Sequence, residues 1–212
     1  MLEKMKQSHF AKKFSVQFMN HQGRLSEPFY FMDNKPHECS QTWQVYRQEF
    51  DHMMLKNAAE YGVQVHEGMR VLEVLFEGDR AVGIRVANEQ GQEREVRAQV
   101  VVDASGQSGI IMSRLGLREW DPDLKKAALW TYWEGAYRDA GRDEGATLVL
   151  QTEGKKGWFW YIPLHNNIVS IGVVGDPAYL LKNRGPKEHE KSDFPELTRC
   201  PDLPPPTATH KP

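Results

Sequence analysis

The residues best suited to chemistry lie in one run, Gly157-Trp158-Phe159-Trp160-Tyr161-Ile162-Pro163, which reads W-x-W-x-I-P. In an extended strand side chains alternate, so Trp158, Trp160 and Ile162 share one face while Phe159 and Tyr161 take the other. Gly157 opens the run and Pro163 closes it, because proline cannot donate to a central ladder. Two readings are open. The run is a core strand, where aromatics are favoured, or it is a wall beside a flat cofactor or aromatic substrate. A second candidate is Arg47, close to the apolar stripe of a helix. It reads either as a surface charge or as a guanidinium fork that holds a phosphate bidentately. The third is Asp103-Ala104-Ser105-Gly106-Gln107-Ser108-Gly109. Small residues at a strand end let backbone approach a ligand closely, although a plain strand-to-helix turn uses the same residues. No metal centre is expected. The eight histidines are scattered without H-E-x-x-H spacing, and Cys39 and Cys200 form no C-x-x-C pair.

The elements that must position these groups follow from periodicity and turn residues. Phe14, Val16 and Phe18 alternate with Ser15 and Gln17, which predicts a half-buried strand. Lys12 and Lys13 precede it as a charged strand edge. Asn20 to Gly23 reads as a turn and Phe29 to Phe31 as a short strand. Ser40 is placed as the cap of a helix running to about Tyr61, with Trp43, Tyr46, Phe50, Met53, Met54, Ala58 and Tyr61 at helical spacing and Gly62 as the stop. Strands follow over 71–76 and 82–86, with a Gly78-Asp79 turn between them and a hairpin turn at Asn88-Gly91. Val96 to Val102 alternates and ends in an apolar run that predicts a strand buried on both faces. Ile110 to Leu117 reads as a short helix. After Trp120-Asp121-Pro122 four strand candidates, 127–137, 146–152, 157–163 and 168–174, suggest an antiparallel sheet. From Lys182 the chain turns polar and proline-rich, which predicts a disordered or extended tail.

The 212 residues suffice for one sizeable core, or one domain and part of another. A hydrophobic content of 40% with 26% charged residues is that of an ordinary globular chain. A net charge of -2 gives no basic field for nucleic acid. No apolar run reaches the roughly 20 residues needed to span a bilayer, and the opening residues have no secretory h-region. Sparse cysteines fit a reducing cytoplasmic setting.

The spelling W-x-W-x-I-P, with Leu164 and the strand Ile168 to Val174 after it, resembles the signature of flavin-dependent halogenases. These belong to the flavoprotein monooxygenases built on the p-hydroxybenzoate hydroxylase plan. Two further stretches are similar. Val45-Tyr46-Arg47-Gln48-Glu49-Phe50-Asp51 resembles the family helix whose arginine touches the FAD phosphates, and Val101 to Ser108 resembles its second FAD-contact motif. The resemblance covers about residues 10 to 181. It implies a mixed α+β or α/β fold. Residues 1–120 are expected to form a partial FAD-binding domain, a parallel sheet with a hairpin crossover and a helix. Residues 121–181 are expected to form part of an antiparallel substrate domain, and 182–212 the tail. It implies FAD contacts at Arg47, Val71, Asp103, Ala104, Ser105 and Gly106. Trp158 and Trp160 become screens between flavin and organic substrate. Reduced FAD and oxygen oxidise a halide to hypohalous acid, and a lysine then directs electrophilic halogenation of an electron-rich carbon. Lys13 is the nearest match to that lysine, with Lys12 as the alternate. A lysine in an apolar channel is neutral and nucleophilic. The implied partners are a small organic substrate, aromatic or carrier-bound, a halide and a separate flavin reductase.

Two departures from the family shape the expectation. No two glycines stand two apart, so the G-x-G-x-x-G fingerprint that seats pyrophosphate on a helix N-terminus is absent. The family also usually carries a glycine near Ser15. The expectation is therefore an internal fragment or truncated frame, inactive on its own. The alternative functions are a flavin monooxygenase, a geranylgeranyl-reductase-like enzyme, or a non-catalytic remnant or binding module.

Overall fold

The computed structural model describes residues 1–181 and 209–211. The chain forms two compact units, one of Met1–Met54 with the described residues from Asp123 onward, the other Leu55–Pro122. In chain order the first contributes α1 (Leu2–Lys6), β1 (Ala11–Lys13), β2 (Ser15–Met19), β3 (Phe29–Tyr30), α2 (Phe31–Asn34) and β4 (Thr42–Gln44). Helix α3 (Arg47–Glu60) leads into the second unit, which holds β5 (Arg70–Glu77), β6 (Arg80–Ala87), β7 (Glu93–Arg97) and α4 (Ile110–Arg114). The chain then returns to the first unit with β8 (Ala127–Glu134), β9 (Thr147–Gln151), β10 (Gly157–Pro163), β11 (Ile168–Gly175), α5 (Pro177–Leu180) and β12 (Thr209–Lys211).

The first unit is built on a seven-stranded sheet of order β12-β8-β11-β10-β9-β2-β3. Its ladders are antiparallel except β2 with β9, which run parallel from Val16↔Thr147 to Met19↔Leu150. Mixed α/β character is thus present, with the four consecutive strands from β8 to β11 forming the antiparallel part. One face of this sheet is the core. Met19, Leu150, Phe159, Tyr161, Val169, Ile171 and Val173 are buried there, and Leu180 of α5 packs against them. Phe159 is 2% exposed and Val169 fully buried. Each such side chain contributes about 1.5–3 kcal/mol by leaving water, which fixes which way β10 faces. A one-residue slip would put Phe159 outside and Trp158 within.

The second unit is an antiparallel meander, β5-β6-β7. The turns are those the sequence predicts: Gly78 takes φ 60° between β5 and β6, and the Asn88 side chain accepts from the backbone of Gln90 and Gln92 before β7. Gly62, at φ 89°, ends α3, and Val63 N–H reaches back to the Ala58 carbonyl at 3.2 Å.

Two expectations change. The helix begins at Arg47, not near Ser40; Thr42–Gln44 is a strand paired with β1. Tertiary contacts override helical spacing there, because buried Gln44 donates to the Gly145 carbonyl and to Thr147 Oγ1 at 3.0 and 2.7 Å. Val100–Val102 forms no strand, and Val100 and Val102 are 75% and 81% exposed. A doubly buried strand needs neighbours on both edges and cover on both faces, and the described part of this unit supplies neither. Of the expected disordered or extended tail, 182–208 and 212 lie outside the described residues, and Thr209–Lys211 is extended and pairs with β8. An edge ladder offers unpaired N–H and C=O groups to any extended segment, whatever its sequence. Among the described residues no helix is long and apolar enough to cross a membrane.

Candidate functional site

Strand β10 places its two tryptophans on the face opposite the core. Trp158 is 42% exposed, while Trp160 lies half-buried across the neighbouring strand. That position exists because of a glycine. Gly172 of β11 is the cross-strand partner of Trp160, and a Cβ there would meet Trp160 Cζ2 at 2.2 Å and Cη2 at 2.5 Å. The indole Nε1–H donates to Ser170 Oγ at 3.2 Å. On the next strand, β8, Trp130 and Tyr132 continue the surface with ring centroids 5.2 Å apart, and Tyr46 follows at 5.1 Å from Tyr132. The aromatic wall is therefore wider than the W-x-W motif. Trp130 and Gly172 are absent from the sequence reading, although a glycine inside an apolar strand signals that something approaches closely.

Beside Trp158 lies an open depression of about 870 Å³, floored by Phe18, Val149 and Trp158 and edged by Arg24, Lys126 and Lys156. Its aromatic floor suits a flat apolar group, and its cations suit an anionic substituent.

Lys13 ends β1, opposite Thr42 of β4. Its side chain is half-buried, with Nζ 5.7 Å from the Phe31 ring centroid. Burial pulls the ammonium pKa below the usual lysine range, since desolvation disfavours the charged form. Glycine is again what allows the backbone to fit: a Cβ on Gly145 would stand 2.1 Å from the Lys12 carbonyl oxygen. Ser15 is fully buried and donates to Asp143 Oδ1 at 3.0 Å. Tyr30 donates to the other oxygen of that carboxylate at 2.8 Å. The buried Ser15 hydroxyl is thus satisfied by a carboxylate acceptor.

Arg47 opens α3 with 72% of its side chain exposed and its Nε 2.9 Å from Asp51 Oδ1. In the second unit, the structure brings together four of the residues singled out from sequence. Val71, Asp103, Ala104 and Ser105 line one apolar depression of about 440 Å³, along with Val74 and Ile110. Asp103 shapes its rim: Oδ1 accepts from the Ser105 backbone and hydroxyl at 3.0 and 2.6 Å, and Oδ2 from the Ile111 backbone at 2.8 Å. These bonds, with that of the Ser105 hydroxyl foremost, hold the Asp103 carboxyl below the ordinary carboxylate range. Gly106 follows at φ 61°, a left-handed conformation that needs glycine.

Comparison with known proteins gives a consistent result. The tryptophan halogenase family matches residues 2–191. The flavin-dependent halogenase armH3 of Armillaria mellea is 36% identical over 178 residues, covering 81% of this chain and 35% of that protein. Among solved structures, the myxobacterial chondrochloren halogenase CndH, an FAD-dependent halogenase, superposes with a TM-score of 0.83 at 32% identity, over 98% of this chain and 47% of that one. The flavin-dependent halogenase CmlS gives 0.81 at 28% identity, over 99% and 38%. The chain thus spans about a third of the length of the curated relative and under half of the structural ones.

Proposed function

The chain belongs to the tryptophan halogenase family, and on that footing we propose that it is part of an FAD-dependent halogenase. The observation that carries the reading is the wall of β10, where Trp158 and Trp160 stand away from the core on a face that Gly172 keeps open for an indole. When bound, FAD supplies the redox chemistry by which oxygen and halide become an electrophilic halogen donor. The residues present fit that cofactor: a 440 Å³ apolar depression combines Val71 with the small-residue turn Asp103-Ala104-Ser105, and Gly106 next to it allows close backbone approach. These residues would hold it.

The chain's own residues perform the rest. Trp158 and Trp160 separate the cofactor from the organic substrate and exclude water between them. The substrate is an electron-rich organic molecule, aromatic or carrier-bound; the depression beside Trp158 takes its flat part. Half-buried Lys13 has its pKa lowered by desolvation, so more of its amine is neutral and able to receive the halogen and direct it. On this reading cofactor contacts fall before residue 120 and substrate contacts within 121–181. A separate flavin reductase supplies reduced FAD, and the reaction takes place in the cytoplasm, where an exposed free thiol such as Cys39 persists.

The test is Lys13→Ala in a full-length form given chemically reduced FAD, oxygen, and chloride or bromide. Halogenated product should vanish while flavin oxidation continues at the parent rate. Halogenation that survives the change removes Lys13 from the mechanism. Product that forms without halide, carrying oxygen or two extra hydrogens, replaces halogenation by hydroxylation or reduction. A folded full-length protein that binds no FAD leaves the binding-module reading.

A further inference from the structure

A separate cluster lies outside the aromatic wall. His9 precedes β1, Glu49 sits in the first turn of α3, and His165 is in the turn between β10 and β11. These positions are far apart in sequence, yet their ligating atoms lie within 4.8 Å of one another. Glu49 Oε2 is 2.9 Å from His9 Nε2, and Glu49 Oε1 is 3.2 Å from His165 Nε2. Both imidazoles therefore present the same nitrogen to one carboxylate.

The setting is more rigid than a surface ion pair. His165 is 7% exposed, and its Nδ1 is buried without a hydrogen-bond partner. Its ring is held by His9 at 4.4 Å in an edge-on contact, by Phe10 at 5.4 Å and by Tyr46 at 6.2 Å. The Glu49 carboxylate is aimed between two imidazole nitrogens, one on each oxygen.

We propose that His9, Glu49 and His165 form a binding site for one divalent transition-metal ion. Two imidazoles and one carboxylate are the donor set favoured by zinc, cobalt, nickel and ferrous iron, and a poor one for magnesium or calcium. Metal–ligand bonds of about 2.0–2.2 Å place tetrahedral ligand atoms roughly 3.4 Å apart; the observed 2.9 and 3.2 Å are hydrogen-bond separations and widen by a few tenths of an ångström when an ion replaces the shared protons. Three protein ligands leave at least one position open. His9 and His165 also line a depression of about 430 Å³ with Arg138, Glu144, Asn166 and Asn167, which has room for the water or small anion that would complete the sphere. The ion would tie the approach to β1, the start of α3 and the β10–β11 turn at one point, just past Pro163 of the W-x-W-x-I-P strand. The site uses none of the residues proposed for halogenation and stands or falls independently of it.

The experiment is titration of the metal-stripped, tag-free full-length protein with cobalt(II), read by its visible absorption, and with zinc, read by competition and by thermal unfolding. One ion per chain with a low-coordinate cobalt spectrum is expected, together with a higher unfolding temperature in zinc. Second-sphere contacts alone change metal affinity by about 10–100-fold; loss of a direct ligand, in His9→Ala or Glu49→Gln, should weaken binding at least that much. His9 is exposed, so its replacement keeps the fold even if His165→Ala does not. No binding at millimolar metal overturns the proposal, and so does binding that both His9→Ala and Glu49→Gln leave unchanged.

Discussion

Replacing Gly172 by alanine tests whether the aromatic wall is set by close packing. Gly172 has no positive φ among the backbone angles, so its conformation accepts alanine. Through the unfolded state alone the change would stabilise by about 0.4–1 kcal/mol. Packing opposes it. The new methyl would lie 2.2 Å from Trp160 Cζ2 and 2.6 Å from Trp130 Cβ, where carbon atoms prefer about 3.5–4.0 Å. The indole must move by more than an ångström. Trp130 Cβ is tied to the backbone of β8 and cannot swing away, so the strands must part as well. Overpacking of this kind costs about 1–3 kcal/mol, and loss of the Trp160 bond to Ser170 adds about 0.5–1.5 kcal/mol. The clash wins, leaving a net loss of about 2 kcal/mol. With a urea slope of about 1–3 kcal/mol/M, the unfolding midpoint should fall by roughly 1 M, followed by tryptophan fluorescence and far-UV circular dichroism. Trp160→Phe lacks the two ring atoms nearest the new methyl, so in that background the alanine should cost less, a coupling of about 0.5–3 kcal/mol. An unchanged midpoint, or strictly additive effects of the two changes, would refute the packing argument.

Three further outcomes follow from the same structure. Ser15→Ala leaves Asp143 without a buried donor to its Oδ1; a hydrogen bond to a charged group is worth about 1.5–3 kcal/mol, and urea unfolding should register that loss. Asp103 has a folded pKa below its unfolded value of about 3.9. Its contribution is present above that value and lost as pH falls through the folded one, so a carboxyl NMR titration should place its midpoint below the free-residue value, and Ser105→Ala should move it back up. Tyr161 is raised to about 12, with burial the main cause. Its contribution is full below the unfolded value of about 10 and is lost between pH 10 and 12; alkaline difference absorbance should show a phenol ionising near pH 12 that Tyr161→Phe removes.

Much of the candidate site was legible because it follows from local rules. Period-two alternation assigns Trp158 and Trp160 to one face of β10 and Phe159 and Tyr161 to the other, and the structure buries the second pair in the core. Turn residues at Gly78, Asn88 and Gly62 place chain reversals from backbone geometry alone. The motif spellings pointed to the family, and the small-residue turn after residue 102 was already visible as a place for close approach.

What the chain could not declare is who lies opposite. Helical spacing from Ser40 to Tyr46 was real, yet pairing with β1 and the buried amide of Gln44 turned Thr42–Gln44 into a strand. The apolar run Val100–Val102 spelled a buried strand, but burial needs neighbours that no local pattern contains. Gly172 matters only because Trp160 crosses it from the next strand. His9, Glu49 and His165 meet only after a helix, a sheet and a turn converge on them. Sequence periodicity fixes which face a side chain presents; the partner on that face is a long-range contact, decided only when the whole sheet has closed.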